Sequence, residues 1–305
     1  MRGGQVGEKQ SVNLVLTVLE ITAPVFALAT IGFVWVRLGL AYDVPFVSRM
    51  AMTISVPCLI FVALMQTEID PSALATLSLA AALSYAVLAA LLAALLAVMR
   101  LDMPTYLAPL IFGNTGNLGL PLALFAFGQE GLGYAVVVFA VMAIGSFTFG
   151  IWLVAGRGSL GRVLREPLVW GTVLGALFLW RGWQTPQVVT NTLELVGQMA
   201  IPLMLITLGV AVARLRPGTL ALSTGLSATK IALCAGVAVG LGLWFGLPPV
   251  AFAVLVLQIS TPVAVTSYLL AEKYGSDAQA VAGLVVTSTL LSVIALPLIL
   301  AIVIA

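Results

Sequence analysis

Read as a pattern of apolar and polar positions, the chain is a series of long apolar runs separated by short clusters of charge, proline and glycine. A membrane-spanning helix needs about 20 mostly apolar residues. The breaks between runs predict ten such helices: 12–37, 45–66, 72–99, 103–127, 131–155, 167–183, 187–212, 219–245, 249–271 and 277–304. Periodicity inside the runs is weak, as expected of a helix surrounded by lipid and protein on every side. Two runs are interrupted at their centres. "IFGNTGNLGLPLALF" at 111–125 and "LQISTPVAVTSY" at 257–268 both place small polar residues just before a proline. Proline lacks an N–H and clashes with the preceding turn. Helices four and nine are therefore predicted to break there and resume. Ser260 or Thr261 is placed to cap the second half of span nine, and Gly119 to give backbone freedom before Pro121.

Composition names the solvent. The 305 residues are 62% hydrophobic and 8% charged, with mean hydropathy +1.18. Soluble domains are about 25% charged, so this surface faces mostly lipid. The net charge of +2 is too small to indicate a nucleic-acid partner. The absence of histidine removes the HExxH zinc motif and any Ser-His-Asp triad. No paired-aspartate motif or ring of like charge points to an intramembrane enzyme or a channel. Cys58 and Cys234 lie in apolar runs and read as small apolar residues. No metal or cofactor is expected. The segment "MRGGQVGEKQ" precedes an apolar run too long for a signal-peptide core, which reads as a retained helix.

Charge sets the expected direction. Arg37, Arg49, Arg100, Arg157, Arg162, Arg165, Arg214, Arg216 and Lys273, nine of the thirteen basic residues, lie at odd-numbered loops or the span ends beside them. The positive side faces the cytoplasm. Both termini are then periplasmic in an inner membrane. All six tryptophans fall near predicted span ends, where an aromatic belt would hold them.

Prolines repeat across the two halves. Pro24 pairs with Pro167, Pro45 with Pro186, Pro57 with Pro202, Pro71 with Pro217, Pro104 with Pro248 or Pro249, and Pro121 with Pro262, at offsets of 141 to 146. Each half, 1–156 and 157–305, holds five predicted spans. An odd number makes the second copy enter from the opposite side, the five-plus-five inverted repeat used by many secondary transporters.

Unwound backbone at membrane depth is tolerated only inside protein or along a watery cavity. Asn114, Thr115, Asn117, Gly119 and Pro121 from span four, with Gln258, Ser260, Thr261 and Pro262 from span nine, form the candidate binding site. Two half-helix N-termini meeting there carry free N–H groups and partial positive charge, which favour an anion such as a carboxylate. Lys230, near mid-membrane in span eight, costs about 2.5–3.5 kcal/mol to insert. It reads as a proton-sensitive group, as a fixed cation beside the breaks, or as a structural cation bonded to carbonyls. Glu20 and Glu194 are candidates to answer Lys230 or the substrate, or else face a water-filled vestibule. Gly171 with Gly175, and Gly236 with Gly240, read as close helix packing.

"GNTGNLGLPL" resembles the fourth-span motif of the auxin efflux carrier family, within the bile/arsenite/riboflavin transporter superfamily. "VPCLIF" in span two, "AIPLMLITLG" in span seven and the lysine of "SATKIAL" extend the resemblance over nearly the whole chain. It implies a transport domain of spans 3–5 and 8–10 moving as an elevator against a scaffold of spans 1, 2, 6 and 7, with broken helices four and nine crossing at the substrate. The expected assembly is a homodimer through the scaffold. Plant members carry a long central cytoplasmic loop, where this chain has only "GRGSLGRVLRE". Plant auxin carriers have asparagine before the ninth-span proline, and Thr261 stands here instead. The expected function is a secondary transporter of a small organic anion, such as malonate, malate or an auxin-like acid. It works by alternating access, proton-linked or as a uniporter. The alternative is a sodium-coupled symporter of the bile-acid type, with sodium on carbonyls at the ends of the first half-helices.

Overall fold

The structure, a computed structural model, describes residues 23–66, 69–155, 167–214 and 220–304. Among these the chain is helical. The first half contains α1 (Ala23–Arg37), α2 (Val44–Met65), α3 (Pro71–Met99) and α4 (Met103–Ile111), then α5 (115–127) and α6 (129–155). The second contains α7 (Pro167–Arg181), α8 (Gln187–Arg214), α9 (Leu220–Trp244), α10 (Pro249–Ile259), α11 (Val265–Tyr274) and α12 (Ala278–Ile304). Among the described residues six helical stretches are long and apolar enough to cross a membrane: Val44–Met65, Ser72–Met99, Thr115–Val154, Gln187–Arg214, Leu220–Trp244 and Ala278–Val303. α1, α7 and α10 are shorter apolar helices.

Local sequence explains the helix ends. Asp70 Oδ1 accepts the Ser72 N–H at 2.7 Å, Asp102 Oδ2 accepts that of Thr105 at 2.9 Å, and Asp277 Oδ1 accepts that of Ala280 at 2.9 Å. Each aspartate satisfies an N–H that the first turn leaves unpaired. The Ser72 N–H also holds the Asp70 carboxyl below its ordinary range. Between α5 and α6 the chain turns on one residue, Gly128, at φ 61 and ψ −150, a conformation that only glycine adopts readily.

The outside carries the grease. All six tryptophans are exposed, as are Leu38, Val98, Ile294 and Ile302. Arg181 stacks over Trp180 and Trp183 at 4.8 and 5.7 Å. Such a surface is stable where lipid replaces water.

Two sets of helices pack most closely among themselves. α2 lies against α7 and α8, while α9 packs on α12 and α3, and α10 on the α5–α6 segment. Gly171 sits on the Pro57 backbone, Gly175 on Leu64 and Gly197 on the Leu59 backbone, so these glycines do mark close approach. Gly236 and Gly240 do not. A side chain at either would meet no atom within 4 Å, because that face of α9 points outward.

Candidate binding site at the helix crossover

The interruption in the ninth predicted span includes its proline, Pro262, whereas that in the fourth lies several residues before Pro121. α4 stops at Ile111, and Phe112 is extended at φ −93 and ψ 110. Residues 115–119 then form one wide π-helical turn, in which the N–H groups of Leu118 and Gly119 both reach Asn114 O, at 3.1 and 3.2 Å. Pro121 follows in the first turn of regular helix, where a missing N–H is tolerated. The break therefore lies at 112–114, before Pro121.

In the ninth predicted span α10 stops at Ile259, and α11 starts only at Val265, behind an Ala264 that makes no side-chain cap. The expected cap by Ser260 or Thr261 is thus corrected. The Thr261 hydroxyl turns back to donate to Gln258 O at 2.7 Å, closing the end of the first half-helix. Pro262 lies in the irregular stretch and not in the first turn of α11.

The breaks touch each other. Gly113 and Val263 form an isolated antiparallel bridge, and the Asn114 N–H donates to Pro262 O at 2.7 Å. The Val263 N–H donates to Ser288 Oγ on α12 at 3.0 Å. Each interrupted helix supplies backbone partners that the other has lost. A Cβ at Gly113 would run into the Thr261 hydroxyl and stand 2.8 Å from its carbonyl oxygen. Gly119 has helical angles, φ −69 and ψ −46, so its expected role in backbone freedom is also corrected. It makes room for the Gln258 amide, which a Cβ there would strike.

Polar groups are concentrated around this contact. Asn114, Thr115, Gln258, Ser260, Thr261 and Lys230 are all buried. Gln258 Nε2 donates to Ala135 O at 3.4 Å. Asn114 Nδ2, Thr115 Oγ1, Gln258 Oε1 and Ser260 Oγ have no hydrogen-bond partner among the described residues. Buried polar groups normally find one, so this patch holds donors and acceptors that the described residues leave free. Asn117 is half-buried on the same turn. The opening N–H groups of α5 also lack intrahelical partners.

Lys230 is fully buried. Its Nζ donates to Thr261 O at 2.9 Å and lies 3.7 Å from Cys234 Sγ. No carboxylate pairs with it among the described residues. Glu194 instead accepts from Gln66 Nε2 at 2.6 Å, placing it at the α2–α8 contact and away from Lys230. Glu20 lies outside the described residues. Ser288 and Tyr85 are not among the sequence candidates, and Cys234, read there as a small apolar residue, lies beside the Lys230 ammonium. Tyr85 packs its ring 5.8 Å from that of Phe112 and leaves its hydroxyl buried and unpartnered. The run "TSTLLS" at 287–292 was the one visible signal for Ser288. Serines in apolar helices usually bond their own helix, as Ser288 also does to Val285 O at 3.3 Å.

Two clefts lie toward opposite ends of α3, and one of them reaches the crossover at Phe112. A cavity of about 530 Å³ is lined by Gln66, Asp70, Gln129, Glu130 and Tyr134. At the other end a narrow cleft between Thr105, Pro109, Ser146 and Ser267 closes on Phe112.

These features define a polytopic helical membrane protein in which two interrupted helices exchange backbone hydrogen bonds inside a buried polar patch. The chain belongs to the membrane transport protein family, which matches it over residues 17–164 and again over 159–300. This bears out the resemblance read from the span-four motif. The chain is similar to an uncharacterized transporter of Methanothermobacter thermautotrophicus, 29% identical over 192 residues. It is also similar to an uncharacterized transporter of Methanocaldococcus jannaschii, 25% identical over 214 residues. The alignments take in 61% and 62% of this chain and 63% and 64% of those proteins, so the chain spans less than two thirds of the curated relatives it matches.

Proposed function

We propose that the chain is a secondary transporter that binds a small organic anion at the crossover and carries it across an inner membrane by alternating access. The observation that carries this reading is the buried Asn114 Nδ2 and Thr115 hydroxyl, without partners among the described residues, at the start of α5, with the Lys230 ammonium on the Thr261 carbonyl of the other break. A carboxylate offers acceptors to such donors and to the free N–H groups of a helix N-terminus.

The element order supports ten spans arranged five plus five. α4 with α5 makes the fourth and α10 with α11 the ninth, and the two family matches divide the chain near the same place. The close packing of α2, α7 and α8 supports a scaffold. The turn at 115–119 contacts α8, so a sliding boundary there would carry the site between the two clefts.

The test is a thermal-shift screen of small carboxylates on the purified chain, followed by flux in proteoliposomes with the ligands found. Asn114→Ala and Asn117→Ala are each expected to weaken binding about tenfold to a hundredfold, the value of one hydrogen bond to a charged group. Unchanged affinity in both variants would move the site elsewhere. For orientation, Ser159→Cys is expected to resist membrane-impermeant thiol reagents in intact cells and to react after permeabilisation. Labelling from outside would reverse the proposed topology.

A further inference from the structure

The end of α10 is chemically unlike the start of α5. The last carbonyls of a helix lack intrahelical partners and carry about half a negative charge. Here that end is buried, and its neighbourhood offers oxygens: Thr261 O, held by Lys230 at 2.9 Å, and Ser260 Oγ, buried without a partner. Among the described residues no carboxylate neutralises the ammonium. What faces it is a carbonyl just beyond a helix C-terminus and the Cys234 sulfur. An ammonium ion and a sodium or potassium ion satisfy such carbonyls by the same electrostatics, differing in size and in number of contacts.

We propose that Lys230 is a tethered cation: its ammonium fills a monovalent-cation site at the broken end of α10, and removing it exposes that site to a free cation. The wild-type chain then needs no inorganic ion to hold the crossover together. If the crossover is the transport site, as proposed above, transport proceeds without sodium. The ion chemistry itself does not depend on that reading. A lysine serving only to fill volume makes a different prediction, because an apolar residue of similar shape would replace it without creating any ion dependence.

The experiment measures thermal unfolding of the purified full chain by tryptophan fluorescence, in sodium chloride or in choline chloride at equal ionic strength. The wild type is expected to melt at the same temperature in both. Lys230→Ala is expected to melt lower in choline. Sodium or methylammonium should restore it, with the melting temperature rising with the logarithm of ion concentration once the site saturates. Lys230→Met keeps most of the stem and frees only the Nζ position, so it is expected to respond to sodium and not to methylammonium. A sodium-dependent wild type overturns the proposal. So do folded variants indifferent to both ions, and so does failure to recover either variant in the presence of sodium or methylammonium. No substrate enters this assay. A Lys230→Ala chain that gains ion dependence while the wild type binds no carboxylate would keep the tethered cation and sink the transport reading.

Discussion

Gly113→Ala is expected to abolish ligand binding at the crossover and to lower the melting temperature of the chain. The added methyl would enter the Thr261 hydroxyl and approach its carbonyl oxygen to 2.8 Å, with Pro262 O at 3.4 Å. The hydroxyl can rotate, but the two carbonyls are backbone. They are already committed, one to the Lys230 ammonium and the other to the Asn114 N–H at 2.7 Å. Relief therefore requires the breaks to separate. That ends the Gly113–Val263 pairing and strands several buried polar groups. Overpacking alone costs roughly 1–3 kcal/mol, and each stranded group adds about 1–3 kcal/mol. Carboxylate titration together with thermal unfolding reads both effects. Wild-type affinity in a folded Gly113→Ala chain would show that ligand binds away from the crossover.

The second large effect is expected at Gly209→Val, where α8 meets α1. A Cβ at Gly209 would enter the Ala29 carbonyl and stand 2.9 Å from the Phe33 nitrogen, and one at Gly32 would enter the Ile206 carbonyl. Each helix thus places a glycine on the other's backbone, and backbone cannot rotate away. The cost is expected toward the upper part of the roughly 1–3 kcal/mol range for overpacking, or above it. It should appear as a lower melting temperature while the crossover residues remain intact. Gly236→Ala is the control. That position faces open space, and alanine is the better helix former by about 1 kcal/mol. The control should therefore melt at the same temperature or slightly higher. Equal destabilisation at 209 and 236 would mean that the α1–α8 approach is not what holds these helices together.

Much of the architecture was legible because its causes are local or compositional. Hydropathy alone named lipid as the solvent. The breaks of charge and proline put span starts at 72, 103 and 277, each within a residue of the helix starts at Pro71, Met103 and Ala278. The two polar interruptions stood out because amides, hydroxyls and glycines are costly in an apolar helix wherever it packs. The span-four motif carried the family.

The identity of most partners lay beyond reach. Proline suggested breaks at 121 and 262. The second falls within the observed break at 260–264, but the first lies at 112–114, where Asn114 and Gly113 pair with the other interruption. Thr261 looked like a cap for the second half-helix of span nine and instead closes the first. Gly119 looked like a hinge and is a space for Gln258. Glu194 was a candidate to answer Lys230, but its carboxylate lies with Gln66, while the ammonium takes a carbonyl, as one of the sequence readings had it, though nothing in the sequence points to that of Thr261. The sequence by itself determined that this chain is helical, lives in lipid and carries two polar faults in otherwise apolar helices. Only the tertiary structure decided which backbone groups the faults exchange where they meet and which groups remain unpaired there, because hydropathy and capping act within a turn or two of chain whereas burial and hydrogen-bond satisfaction are settled between helices.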